Sequence, residues 1–125
     1  MSSILYKNNI YVKKSKIQGY GVFAGKKIKK GERIEQCYFV IVQGKDKKLD
    51  NMYFDIKKKN GVILGYGSIY NHQDNPNATY TFSMAKRVAT FKATRDIKKD
   101  EEIFISYGDE WFSSRKKQAK TKKAK

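Results

Sequence analysis

The sequence predicts a mostly-β domain built from several small sheets. Short runs rich in Val, Ile, Tyr and Phe alternate with turns of Gly, Asn, Asp and Lys, and no segment keeps a long helical period. Nine tyrosines and seven phenylalanines against one tryptophan favour aromatic packing around strands over a leucine-rich helical bundle. A chain of 125 residues has room for one domain with one hydrophobic core.

The individual elements follow from these patterns in chain order. Strands are expected at residues 10–12, 22–24, 33–42, 78–83, 88–93 and 103–105. Residues 52–56 and 62–64 flank a Lys-Lys-Lys-Asn-Gly turn, which predicts a hairpin. Between these elements we expect turns or irregular segments at residues 29–32, 43–50, 65–70 and 97–100. No internal repeat is predicted.

Cysteine usage and hydropathy narrow the class of protein. Cys37 is the single cysteine, which excludes an intrachain disulfide and a cysteine-rich zinc cluster. No apolar run approaches the roughly 18 residues that a membrane-spanning helix needs, and the start of the chain shows no signal-peptide pattern. We therefore expect a soluble protein of a reducing compartment that binds no membrane and holds no metal.

Residues 115–125 carry seven units of the formal net charge of +16, and the rest of the chain carries +9. Residues 115–125 (RKKQAKTKKAK) contain seven basic residues and no acid, so we expect a disordered tail. Such a tail can simply keep the protein in solution. It can also contact DNA phosphates, attract a chromatin substrate or act as a nuclear import signal. The charge alone does not choose among these roles.

Three short motifs stand out from the strand pattern: GYGVFAG at 19–25, NHQDNPN at 71–77 and EEIFISYG at 101–108. The glycines suit either a strand-linking turn with positive φ or a close approach of the backbone to a ligand. They introduce no helix, which argues against a nucleotide-phosphate loop. The second motif suits either turn-forming asparagines around a hydrogen-bonded His72 or a binding loop. Tyr107 either closes a strand at the edge of the core or serves a site.

In this order and at this spacing, the motifs resemble those of the SET-domain protein lysine methyltransferases over about residues 10–112. Asn71, His72, Pro76 and Asn77 match the frame of the family's loop. Between His and Pro the family usually has Ser-Cys-Asp, whereas this chain has Gln-Asp-Asn. The resemblance implies a compact SET domain (β-clip) with knot-like threading of its C-terminal segment, followed by the basic tail at 113–125.

The resemblance also implies an activity, which is methyl transfer from S-adenosylmethionine to the ε-amine of a protein lysine. Tyr107 would be catalytic, with its hydroxyl where the amine meets the methyl group. The lysine channel would be lined by Tyr53, Tyr80 and Ile105, and the last two would govern how many methyl groups are added. The implied cofactor-binding residues are Gly19, Tyr20, Gly21, Asn71, His72 and one or both of Trp111 and Phe112.

Small size and the absence of zinc cysteines most resemble the minimal SET proteins of viral type, which methylate histone tails as homodimers. That implies a histone substrate, a homodimer and a location in the nucleus, which is the host nucleus for a viral protein, or elsewhere inside the cell. Because the chain is strongly cationic, acids must attract a basic substrate locally, and the candidates are Asp74, Asp109 and Glu110.

Two rival functions remain open from the sequence. One is a non-catalytic basic β-module that binds nucleic acid or nucleosomes through its cations and aromatics. The other is a SET enzyme that modifies a non-histone protein. The first explains the charge but leaves the ordered motifs without a role.

Overall fold

The computed structural model describes residues 5–44 and 53–107, which form strands and connecting turns without a helix. In chain order the strands are β1 (Ile10–Lys14), β2 (Tyr20–Ala24), β3 (Arg33–Val42), β4 (Tyr53–Ile56), β5 (Lys59–Ile63), β6 (Asn71–His72), β7 (Ala78–Ser83), β8 (Val88–Ala93) and β9 (Glu102–Ile105). They confirm the predicted mostly-β class.

The first sheet has four strands in the order β1-β2-β9-β6. Its β1–β2 and β2–β9 pairs are antiparallel, whereas β6 lies parallel to β9 with Asn71 opposite Phe104 and His72 opposite Ile105. The Asn-His dipeptide, which the sequence placed in a loop, is thus a short edge strand. This pairing brings it next to the strand that leads to Tyr107.

The second sheet has five antiparallel strands in the order β4-β5-β3-β8-β7. Its edge strands β4 and β7 are far apart in that order, yet Phe54 and Tyr80 meet edge to face with ring centroids 5.9 Å apart. The sheet is therefore strongly curled. Phe39 and Phe82 fill its concave side, 5.4 Å apart.

One hydrophobic core joins the two sheets. Its fully buried members come from both of them and from the turns between, and they include Val22, Ile28, Ile34, Phe39, Phe91, Ile97, Ile103 and Ile105. Burying one such side chain stabilises the fold by about 1.5–3 kcal/mol.

The predicted hairpin is confirmed, but the predicted position of its turn is wrong. The turn consists of Lys57 and Lys58, with φ of 51° and 67°, and β5 already begins at Lys59. Positive φ at both central residues is typical of a type I′ turn, which usually recruits Asn or Gly. The Asn-Gly pair of this chain instead lies within β5, opposite Asp55 and Phe54.

The expectation of no internal repeat is also wrong. Residues 24–32 (AGKKIKKGE) and 93–101 (ATRDIKKDE) are identical at five of nine positions. Their central isoleucines pair in an antiparallel bridge with hydrogen bonds of 2.8 and 2.9 Å. Each turn has one residue with positive φ, Gly31 at 85° and Asp100 at 69°. The two segments are therefore similar turns that pair with each other through Ile28 and Ile97.

Asn77, only 1% exposed, holds the NHQDNPN segment at residues 71–77, which we call the motif loop, against β9. Its Nδ2 donates to Glu102 O at 2.9 Å, and its Oδ1 accepts from Phe104 N at 2.8 Å. The side chain thus satisfies two backbone groups that would otherwise be buried without partners.

Asn77→Ala is expected to lower the free energy of unfolding by about 2–4 kcal/mol, because it orphans two buried backbone groups. Asn60→Ala is the matched control, since its amide bonds Gly44 O at an exposed site, and it should cost within about 0.5 kcal/mol. Urea denaturation measures both variants. Equal losses would contradict the clamping role of Asn77.

Candidate functional site

All three sequence motifs meet at the amide group of Asn71. Its Nδ2 donates to Gln18 O at 3.1 Å, to Tyr20 O at 3.2 Å and to Glu102 Oε2 at 2.9 Å. Two amide protons shared among three acceptors are fully used. Any further polar contact of this side chain would therefore use its oxygen.

Glycine is favoured at positions 19 and 21 of the first motif for two different physical reasons. Gly19 adopts a φ of 51°, and a Cβ there would meet nothing within 4 Å. Gly21 has no unusual φ, but a Cβ there would lie 2.8 Å from Glu102 Cδ and 3.1 Å from Asn71 Nδ2. Gly19 thus has the positive φ predicted for a turn, Gly21 packs closely against protein side chains, and a close approach of this backbone to a ligand stays a prediction. Between them Tyr20 is 63% exposed, which leaves its ring open to a ligand.

Glu102 belongs to this cluster, although sequence reasoning did not single it out. Its carboxylate accepts from Asn71 Nδ2 and, at 2.8 Å, from the hydroxyl of Ser15. The signal available in the sequence was an acid at the start of a β-patterned run, which is unfavourable in a strand unless the side chain is paired.

The hydrogen bonds of His72, which is 9% exposed, fix its tautomer. Tyr107 donates its backbone N–H to Nδ1 at 2.9 Å, so Nδ1 is unprotonated. The proton therefore resides on Nε2, which lies 2.9 Å from Asp74 Oδ1 and donates to it. The neutral ring ties the motif loop to the backbone of Tyr107. A contact of His72 with a cofactor stays a prediction.

The phenol of Tyr107 is held by the backbone. Its hydroxyl donates to Tyr70 O at 2.6 Å, and its ring lies beside that of His72 at 5.3 Å between centroids. Burial, with smaller contributions from Tyr80 and the Glu102 charge, raises the pKa of the Tyr107 phenol. The hydroxyl is therefore a neutral, oriented group at the end of β9.

Aromatic rings form a wall next to this phenol. Phe54 meets Tyr107 edge to face at 6.3 Å and also contacts Tyr80, whose hydroxyl donates to Ser106 O at 3.0 Å. Burial raises the pKa of Tyr80 as well. We call Phe54, Tyr80 and Tyr107 the aromatic wall.

The structure adds Phe54 to the wall, and the place of Tyr53 in the lysine channel stays a prediction. Successive side chains of a strand point to opposite faces, so Tyr53 lies on the other face of β4, in register with Val62. Two adjacent aromatics could not be ranked from the sequence without knowing the strand register. Ile105 is fully buried in the core opposite His72, and its influence on product number stays a prediction.

Several predicted residues lie outside the described part of the chain. They are Trp111, Phe112, Asp109, Glu110 and the tail at 113–125.

The described residues show two further properties. Within residues 5–44 and 53–107 no three His, Cys, Asp or Glu side chains are grouped to hold a metal ion, and no helix there could cross a membrane. Cys37 is buried, and desolvation raises the pKa of its thiol, so the group stays protonated.

Comparison with known proteins places this geometry in a family. The family model for the SET domain matches residues 19–108. A Schizosaccharomyces pombe protein named histone-lysine N-methyltransferase, H3 lysine-37 specific, is 40% identical over 55 residues. That match covers 43% of this chain and 37% of the yeast protein, so the chain spans well under two thirds of that relative.

Solved structures resemble the fold over most of the chain. A Plasmodium falciparum protein assigned as a histone methyltransferase has a TM-score of 0.73 and 35% identity, covering 86% of this chain and 99% of its own. The Polycomb Repressive Complex 2 of Chaetomium thermophilum, bound to S-adenosylmethionine, contains a chain with a TM-score of 0.66 and 22% identity. That match covers 83% of this chain and 16% of the other, and it concerns the fold alone.

The close packing at Gly21 gives a stability prediction. Gly21→Ala must push Glu102 and Asn71 apart and should lower the free energy of unfolding by about 2–4 kcal/mol. Gly19→Ala is the control for positive φ in open space and should cost only about 1 kcal/mol. Chemical denaturation compares the two variants. A larger loss for Gly19→Ala would show that Gly21 is not constrained by its neighbours.

Proposed function

The chain belongs to the SET-domain family, and from that membership we propose that it transfers a methyl group from S-adenosylmethionine to the ε-amine of a histone lysine. One observation supports the proposal most: the hydroxyl of Tyr107 donates to Tyr70 O, and the Tyr107 ring lies next to those of Phe54 and His72. We take residues 10–112 as the catalytic domain and 113–125 as its tail.

The residues around Asn71 and Gly21 fit a cofactor with a charged amino-acid end. Asn71 offers an oxygen, because its Nδ2 is already bonded, and the exposed Tyr20 ring can cover an apolar part. When bound, S-adenosylmethionine supplies an electrophilic methyl group. We propose that Gly19, Tyr20, Gly21, Asn71 and His72 hold it, together with Trp111 or Phe112.

Positioning is the main task of the protein groups in this chemistry. The attacking amine must be neutral, whereas free lysine has a pKa of about 10.4. The rings of the aromatic wall desolvate the amine, which disfavours the ammonium form. The phenol oxygen of Tyr107 and the carbonyl oxygen of Tyr70 then orient the nitrogen lone pair, so that attack becomes effectively intramolecular.

The lysine channel is proposed to run along the aromatic wall. The proposed determinants of how many methyl groups fit are Tyr80, whose hydroxyl donates to Ser106 O, and the fully buried Ile105. The contacts of Phe54 with Tyr80 and Tyr107 support a place for Phe54 in this channel as well. A role for Tyr53 at the channel remains part of the proposal.

A histone substrate is supported by the names of the yeast and Plasmodium relatives. We propose that the protein works in the nucleus, as a homodimer like the compact viral-type SET proteins, and that its basic tail contacts nucleosomal DNA. A non-histone lysine protein is the alternative substrate. Asp74, beside His72, is the described acid proposed to attract the basic segment that carries the lysine.

The rival class, a non-catalytic module that binds nucleic acid, makes a different prediction for ligand binding. S-adenosylmethionine should raise the melting temperature of a methyltransferase, because it binds the folded state. A nucleic-acid module has no reason to respond. The ordered motifs and their convergence on Asn71 favour the enzyme.

Tyr107→Phe should lower the methyl-transfer rate at least about tenfold, because the oriented oxygen is lost while the ring remains in the wall. Cofactor affinity, measured by calorimetry, should stay nearly unchanged. Tyr11→Phe is the control, since it removes a hydroxyl from an exposed bond to Asp100, and it should keep wild-type activity. Near wild-type turnover of Tyr107→Phe would remove Tyr107 from the catalytic residues.

The pH–rate profile should rise with pH as the substrate amine loses its proton. The raised pKa of Tyr107 keeps its phenol protonated where an ordinary tyrosine, with a pKa of about 10, ionises. Wild-type activity should therefore show no descending limb up to about pH 10. A descending limb below that pH which disappears in Tyr107→Phe would contradict the protected phenol.

Deletion of residues 115–125 should reduce activity on nucleosomes far more than on a free histone peptide. The advantage on nucleosomes should also fall steeply as the salt concentration rises. Each phosphate contact should contribute about −0.9 to the slope of the logarithm of the binding constant against the logarithm of the salt concentration. A scrambled tail of the same composition is the control and should keep the advantage. Equal losses on both substrates would place the tail in the active site or the dimer contact, and no loss would favour a solubilising role.

A further inference from the structure

Glu35 is a buried carboxylate that the proposed reaction does not use directly. It lies on β3, is 4% exposed, and accepts hydrogen bonds from Tyr70 Oη at 2.7 Å and from Tyr66 N at 3.1 Å. Among residues 5–44 and 53–107 no lysine or arginine nitrogen forms an ion pair with it. A buried charge held only by hydrogen bonds is costly, and an apolar side chain would fill this place more cheaply.

Tyr70 connects this carboxylate to the candidate catalytic phenol. Its ring, 1% exposed, stacks on Phe91 with centroids 4.6 Å apart, and its hydroxyl donates to Glu35. Its own carbonyl oxygen accepts the hydroxyl of Tyr107 at 2.6 Å. One residue thus bonds to Glu35 through its side chain and to Tyr107 through its backbone.

The segment before Tyr70 needs such an anchor, because residues 65–70 are a series of turns with no strand ladder. Glu35 also receives the N–H of Tyr66, so the same carboxylate fixes both ends of this segment. Gly65 leaves room for the carboxylate, since a Cβ there would lie 2.9 Å from Glu35 Oε2. Burial and the Glu35 charge raise the pKa of Tyr70, so its phenol keeps the proton that it donates.

We propose that Glu35 is a positioning residue for methyl transfer: it anchors Tyr70, and the carbonyl of Tyr70 in turn holds the Tyr107 hydroxyl in its working orientation. This inference rests on the proposed function, because it assigns Glu35 a role in the same reaction. Displacements of about 1 Å in such a constellation can reduce rates by up to about a hundredfold.

A double-mutant cycle between Tyr70→Phe and Tyr107→Phe tests the connection. Tyr70→Phe keeps the ring on Phe91 and the carbonyl, and removes only the hydroxyl that Glu35 holds. It should lower kcat roughly tenfold and leave the KM for S-adenosylmethionine within about twofold. In the Tyr107→Phe background the same change should cost nothing further. Additive losses in kcat would overturn the proposal.

Conservative substitution tests Glu35 itself. Glu35→Gln keeps an oxygen for the Tyr70 hydroxyl and should retain more of kcat than Glu35→Ala. Ile97→Val is the stability control, since it trims a fully buried core side chain in the segment before β9, where Ile97 bridges to Ile28. If Ile97→Val, at an equal loss of melting temperature, lowered kcat as much as Glu35→Ala, the role of Glu35 would be structural only.

An activity-independent readout separates this inference from the proposed function. The NMR signals of the Tyr107 ring in tyrosine-labelled protein, assigned with Tyr107→Phe, should shift in Tyr70→Phe and Glu35→Ala and stay in place in Ile97→Val. Unmoved signals in the first two variants would overturn the anchoring. Absence of any methyl transfer by the wild-type protein, with the shifts present, would overturn the function and not the anchor.

Discussion

The parallel pairing of β6 with β9 is the constraint on which the rest of the structure depends. It involves two residues on the shorter strand, Asn71 and His72, and such a short ladder has little stability of its own. Side chains supply the rest: Asn71 binds Glu102 and Tyr20 O, His72 binds Tyr107 N, and Asn77 binds two backbone groups of β9. The motif loop is therefore held by polar side chains, and replacing Asn71, His72 or Asn77 by an apolar residue is expected to destabilise the fold.

The same bonds prepare the site for its chemistry. The proton on Nε2 of His72, the amide of Asn71 and the hydroxyl of Tyr107 each have a protein partner, so these groups are oriented before any ligand binds. The aromatic wall closes one side of the phenol through the curl of the second sheet, which brings β4 and β7 together. Preorganisation of this kind suits a reaction in which positioning and desolvation provide most of the rate.

Local sequence patterns predicted most of the strands. The features that they did not predict depend on pairing between residues that are distant in the chain. Residues 33–42, 78–83 and 88–93 alternate or contain β-branched runs between clear turns, and their bounds are confirmed. The two residues of β6 are too few to show a strand pattern, and the strand that they pair with lies more than thirty residues further along the chain. The positive φ of Lys57 and Lys58 and the choice of Phe54 over Tyr53 depend on the register of β4 with β5. Nothing in the local sequence marks Glu35 or Glu102 as a bonded acid, because their hydrogen-bond partners are distant in the chain.

The central claim is that this arrangement methylates a lysine, and one measurement tests it most directly. The full chain would be incubated with isotope-labelled S-adenosylmethionine and a panel of purified histones, intact nucleosomes and non-histone basic proteins, and the modified residues would be identified by mass spectrometry. We expect label on a defined histone lysine, absent when the cofactor is omitted. Stable, folded protein that binds the cofactor and labels no lysine in any substrate would contradict the account.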